Sequence, residues 1–138
     1  MNGPPERAAT ARLWAEKAEH DLTAARDLLE HSPNCPFDVV CFHAQQAVEK
    51  YMKAMLVSLS IAFPKTHDLR KLFDLMPGPA KKLFKIENLL LVNRYAIDAR
   101  YSGDYEPITR TDAKRAIKIA EGLKKKIIRQ LEMFSTEK

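Results

Sequence analysis

The chain has 138 residues, of which 46% are hydrophobic and 30% charged, with a formal net charge of +5. That length suits one domain with its own core. The composition excludes a disordered segment, and the apolar stretches are too short and too broken by charge to span a bilayer.

Strand-period alternation is lacking, and five helices are expected. The first covers residues 8–30, with Leu13, Trp14, Ala18, Leu22, Ala25, Leu28 and Leu29 at helical spacing. HSPNCP breaks it, because two prolines in a polar stretch do not continue a helix. The second covers residues 37–60 on a stripe of Phe37, Val40, Cys41, Ala44, Val48, Tyr51, Met52, Met55 and Leu59, and IAFPKT stops it. Thr66 is the expected N-cap of a short third helix over HDLRKLFDL, where Asp68 favours the first turn. MPGP ends that helix, and a fourth covers residues 80–100 with Leu83, Phe84, Ile86, Leu89, Leu90 and Ile97 inward. Thr109-Arg110-Thr111-Asp112 has the form of a capping box, opening a last helix to residue 134. Its inward positions are Ala113, Ala116, Ile117, Ala120, Leu123, Ile127, Leu131 and Phe134. Four long helices and one short one, joined by short turns, predict an all-α, up-and-down helical bundle. The bundle is expected as one domain over residues 8–135, with residues 1–7 and 136–138 as flexible termini.

The opening MNGPPERAAT has no apolar core and does not read as a secretory signal. Cys35 and Cys41 are the only cysteines and match no zinc spacing. Both read as free thiols in a reducing cytoplasm, with Cys41 in the core. Charge is uneven along the chain. Residues 1–31 carry four basic and six acidic side chains, whereas residues 109–138 carry nine basic and four acidic ones. A basic end attracts nucleic acid or an acidic protein, and it is equally the solvated face of a lysine-rich helix. Lys114, Arg115, Lys118, Lys124, Lys125, Lys126 and Arg129 point several ways around their helix, which argues against a single nucleic-acid groove.

Two passages carry candidate chemistry. In CFHAQQAVEKYMKA, His43, Ala47, Lys50 and Ala54 share one side of a helix, flanked by Gln46 and Lys53. Periodicity alone reads that side as an ordinary exposed face; the mix of alanines and polar groups also suits a wet interface or a ligand groove. In YAIDARYSGDYEP, Arg100 stands where a helix stops, among Tyr95, Tyr101 and Tyr105. It suits a phosphate site, and it equally suits pairing with Asp98 or Asp104 at the negative end of the helix dipole. His67 reads as fixing its turn by a hydrogen bond, and His20 as exposed. His43, His67 and Asp68 match no recognised metal spacing, so neither a metal nor a cofactor is expected. Gly-rich phosphate loops are missing too.

Together, FDVVCFHAQQAVEKYMKAMLV, FPKTHDL and YAIDARYSGDYEP followed by TDAKRAIKIAE resemble the HEPN domain family in order and spacing, from Trp14 to about Ile128. The resemblance implies a bundle of the nucleotidyltransferase substrate-binding type, a homodimer, and pairing with a minimal nucleotidyltransferase. It implies a toxin-like or substrate-binding role on a nucleotide or RNA phosphate. Arg100 would bind the phosphate, Tyr101 or Tyr105 would stack or hydrogen-bond, and His43, Lys50 and Lys53 would line the groove or dimer seam. Many relatives resemble metal-independent ribonucleases, with Arg, four to six residues, then His in a dimer cleft. Here Tyr105 stands where that histidine would be. A phenol with a pKa of about 10 is a poor general base at neutral pH. A second Arg-x4-His, Arg26 to His31, lies outside the family's usual place. A ribonuclease using His43 or His67 at the Arg100 cleft and a purely structural dimer are the alternatives.

Overall fold

The computed structural model describes residues 3–100 and 107–136, without the side chains of residues 4, 96, 98–100 and 134–136. Among the described residues there are six α-helices and no strand: α1 (Pro4–His31), α2 (Phe37–Ser58), α3 (Leu69–Leu75), α4 (Gly78–Lys81), α5 (Ile86–Arg100) and α6 (Arg110–Thr136). The all-α bundle is therefore as expected, with local differences that have physical causes.

Helix α1 begins four residues before the expected start, because Pro4 and Pro5 occupy first-turn positions where a missing N–H costs nothing. Its seam is a run of small residues, with Ala11, Ala15, Ala18, Leu22 and Ala25 buried. Leu13, expected inward, is 56% exposed. The alanines let α1 lie close against α2, and Leu13 falls to one side of their line.

Helix α2 ends at Ser58, two residues early, in a Schellman motif. The Ser60 N–H donates to the Val57 carbonyl at 3.0 Å and the Ile61 N–H to the Leu56 carbonyl at 2.9 Å. Ser60 supplies the left-handed residue, at φ 60°, a position that glycine usually fills. The N-cap of α3 is Asp68 rather than Thr66: its carboxylate accepts from the Arg70 N–H at 2.9 Å. Thr66 instead accepts from the Asp68 N–H at 3.1 Å, tightening the turn before the cap.

The expected fourth helix divides into α4 and α5. The break turns Phe84 into the core, where it meets Phe73 edge-to-face with centroids 6.2 Å apart. The freed Leu83 carbonyl accepts from Lys126 Nζ at 3.3 Å. The capping box of α6 forms as written: Asp112 accepts from the Thr109 N–H at 2.9 Å, and the Asp112 N–H donates to the Thr109 hydroxyl at 3.2 Å.

Helix α2 is the centre of the bundle and packs against α1, α3, α5 and α6; α1 also packs on α6, while α5 and α6 barely touch. From Tyr51 to Leu56 every α2 side chain is buried. Cys41 is wholly buried, and burial, with Asp112 and Asp38 nearby, pushes its thiol up to about 12. Among the described residues no helix is long and apolar enough to cross a membrane.

Candidate functional site

The side of α2 that carries His43, Ala47, Lys50 and Ala54 is not an exposed face. Ala47 and Ala54 are fully buried, and the polar residues beside them reach α1. Asp21 joins the two: His43 Nδ1 lies 2.9 Å from one carboxylate oxygen and Lys50 Nζ donates to the other at 2.5 Å. Both partners of Asp21 remain about a quarter exposed, so this small cluster opens to solvent at the α1–α2 seam.

Lys53 belongs to a second cluster. Its ammonium donates to Glu49 at 2.9 Å, with the two side chains only 8% and 2% exposed. It also lies over the rings of Trp14 and Phe63, at 5.3 and 5.7 Å from their centroids. His67 Nδ1 sits 3.0 Å from the other Glu49 oxygen, and its own carbonyl accepts from Gln45 at 3.1 Å. His67 thus fixes its turn as expected. Where the imidazole donates to Glu49 through Nδ1, Nε2 is left as an acceptor. Gln45, Glu49 and Lys53 repeat every fourth residue, a spacing that marks side-chain pairing along a helix. That signal could have found this cluster in the sequence; nothing local points to Asp21.

The Arg-Tyr passage begins on α5, whose backbone stays helical through Arg100. The Arg100 side chain, Tyr101 and Tyr105 lie outside the described residues. What is described just before them is a buried Tyr95 whose hydroxyl donates to Asp112 at 3.1 Å and accepts from Arg115 at 3.4 Å. Burial raises the Tyr95 phenol, and the Asp112 carboxylate raises it further. Asp112 lies below its ordinary range, held there first by the Thr109 N–H, then by the Tyr95 and Thr109 hydroxyls. So the α5 end and the α6 start are tied together by one hydrogen-bonded group. Arg110 stacks over Phe37 at 5.0 Å and donates to the Leu29 carbonyl, which brings the ends of α1 and α2 to the same pole of the bundle.

The Arg26–His31 spacing does not form a pair. Arg26 is clamped by Glu121 at 3.0 Å and Glu19 at 3.2 Å, whereas the exposed His31 faces Glu30. Hydrogen bonding to Glu121 raises the Arg26 guanidinium further. Burial pushes the Glu19 carboxyl up, but hydrogen bonds from Lys124 and Tyr51 and the charges of Lys124 and Arg26 outweigh it and hold Glu19 below its ordinary value. Glu19, Tyr51 and Lys124 border a cleft of about 500 Å³ between α1, α2 and α6. The cleft's rim balances Arg7, Arg12 and Lys124 against Glu16, Glu19 and Glu132. The structure therefore brings His43 and Lys50 together, sets Lys53 apart from them in the interior, and leaves Arg100 on another helix.

Two solved structures resemble this one. TT1696 from Thermus thermophilus is 26% identical, with a TM-score of 0.70 over 90% of this chain and 97% of that one. ST0689, an archaeal HEPN homologue, is 22% identical, with a TM-score of 0.68 over 88% of this chain and 97% of that one. None of the curated proteins matches significantly. The HEPN domain family model matches residues 11–131, from the first turns of α1 almost to the end of α6. The chain therefore belongs to the HEPN domain family.

Proposed function

We propose that this HEPN domain acts as a homodimer that binds a nucleotide or an RNA phosphate at the Arg100 corner. It serves as the toxin-like or substrate-binding partner of a minimal nucleotidyltransferase. Arg100 holds the phosphate and Tyr101 or Tyr105 stacks or hydrogen-bonds; His43 and Lys50, which open to solvent at the α1–α2 seam, extend the groove, whereas Lys53 is spent on Glu49 in the interior. The observation that carries this reading is family membership over residues 11–131, joined to an α5 helix that reaches Arg100. A planar guanidinium at a helix end suits bidentate contact with phosphate oxygens.

The test is a titration of the purified protein with AMP and ATP, followed by amide shifts in the NMR spectrum. Shifts around Arg100 that vanish in Arg100→Ala are expected. A spectrum that stays still leaves the protein as a structural dimerisation module and sinks the reading.

A metal-independent endoribonuclease is the second reading, favoured by one observation. His67 is 67% exposed and its Nδ1 is engaged by Glu49, which leaves Nε2 available for proton transfer. Incubation with RNA in a chelator separates the two: intact RNA is expected of the binder, and cleavage lost in Arg100→Ala would establish the enzyme.

A further inference from the structure

Where α5 and α6 diverge they leave a groove of about 300 Å³. Its floor is apolar, built from Phe84, Leu89, Ile119 and Leu123. Its rim carries Lys85, Arg115, Lys118 and Lys126, and among the described residues no acidic one lines it. Three of the cations that read as scattered around α6 thus share one surface, gathered where the α4–α5 turn and the first turn of α5 face that helix. None of the four makes an ion pair among the described residues. Arg115 donates to the Tyr95 hydroxyl and Lys126 to the Leu83 carbonyl, contacts that leave their charge in place. Among the described residues, Asp112 lies near Arg115 at the end of the groove. The α1-facing side of the same helix is the opposite case, with Glu121 on Arg26 and Lys124 on Glu19.

Gly122 lies between these cations. Glycine weakens a helix interior relative to alanine, so a glycine in the middle of a 27-residue helix asks for a reason. Among the described residues nothing supplies one: apart from the adjoining backbone of its own helix, a Cβ built there meets no atom within 4 Å. A bare backbone that its own fold does not crowd suits the close approach of something else.

We propose that this groove docks an acidic, amphipathic helix of a partner protein. Apolar side chains at helical spacing fill the floor, carboxylates meet the four cations, and the partner's backbone crosses α6 at Gly122. From Arg115 to Lys126 the rim runs about 16 Å, roughly three helical turns. A second copy of this chain is not the occupant in a two-fold arrangement, since that sets the cationic rim against itself. A nucleic-acid strand is the poorer fit. It stacks bases on open aromatic faces, and among the described residues the one aromatic ring lining the groove, Phe84, is 9% exposed and engaged edge-on by Phe73. The proposal stands whether or not the Arg100 corner binds phosphate.

The experiment measures fluorescence anisotropy of a labelled helical peptide of about 16 residues, with leucines on one face and glutamates on the rest. A peptide of the same composition with the leucines scattered is the control. The patterned peptide is expected to bind the wild-type protein at least about tenfold more tightly than the control. Lys118→Glu with Lys126→Glu is expected to weaken it by a similar factor. Lys17→Glu with Lys71→Glu, the same charge change at exposed sites on α1 and α3, leaves it unchanged. Gly122→Ala is the decisive variant. It is expected to raise the melting temperature and yet weaken the peptide several-fold, and Gly122→Leu to abolish binding. No binding of the patterned peptide, equal binding of the control, or equal loss at Lys17 and Lys71 overturns the proposal. So does displacement of the peptide by single-stranded oligouridylate at comparable concentration, which would make the groove a nucleic-acid site.

Discussion

The Lys53 ammonium and the Glu49 carboxylate meet at 2.9 Å with both side chains almost out of solvent. Charges stripped of water survive only when every lone pair and proton is used, and here His67, Gln46 and two aromatic faces complete the set. Lys53→Met removes the cation and leaves the carboxylate buried. We expect it to cost about 3–5 kcal/mol in urea unfolding. Lys53→Met with Glu49→Leu recovers most of that, because apolar groups fill the space without an unpaired charge. A single-variant loss below about 1 kcal/mol would show that water reaches the pair. The residues were all legible in AVEKYMKA, yet their burial was not. A pattern of polar types reads as an outside face, and only the placement of Trp14 and Phe63 over Lys53 decides otherwise.

Legibility differs between elements for the same reason. The start of α6 was readable because Thr109 and Asp112 satisfy each other locally, with no help from the fold. The break between α4 and α5 was not, since no glycine or proline lies from Ala80 to Arg100 and packing of Phe84 makes the break. The α5–α6 groove was likewise invisible around one helix, because it takes both helices to make one surface. The capping box yields a pH prediction. Asp112 is held below its ordinary value of 3.8, first by the Thr109 N–H. A carboxyl lowered in the folded state stabilises above its unfolded pKa, and that stability is lost as pH falls through the folded pKa. Asp112→Ala is therefore expected to cost about 1 kcal/mol near neutral pH. The gap from wild type should close as the pH is lowered through 3.8 and beyond. Thermal melts across that range check it, and a constant gap would mean that the carboxylate does not act as the cap. Glu19 changes in the same direction in both proteins and cancels from the difference.

At the scale of the molecule, α5 is apolar on two sides. Leu89, Val92 and Tyr95 face the core, while Leu90 and Ile97, expected inward, are 46% and 43% exposed. Those two stand seven residues apart, two helical turns on one stripe, with the exposed Arg94 between them. A second copy packed on this stripe about a two-fold axis near Ile97 would bring the two Arg100 corners toward one another. The groove on the other flank of α5 is cationic and suits a different occupant. The proposed dimer accordingly depends on Leu90 and Ile97 more than on any charge. Leu90→Glu with Ile97→Glu is expected to give a monomer in sedimentation velocity with unchanged helical circular dichroism, because neither side chain supports the core. Nucleotide-induced shifts near Arg100 should weaken with it, whereas the acidic peptide should still bind the α5–α6 groove. A variant that remains dimeric places the two-fold axis on another face and removes the ground for a site shared across Leu90 and Ile97. The phosphate site would then be assembled within one chain.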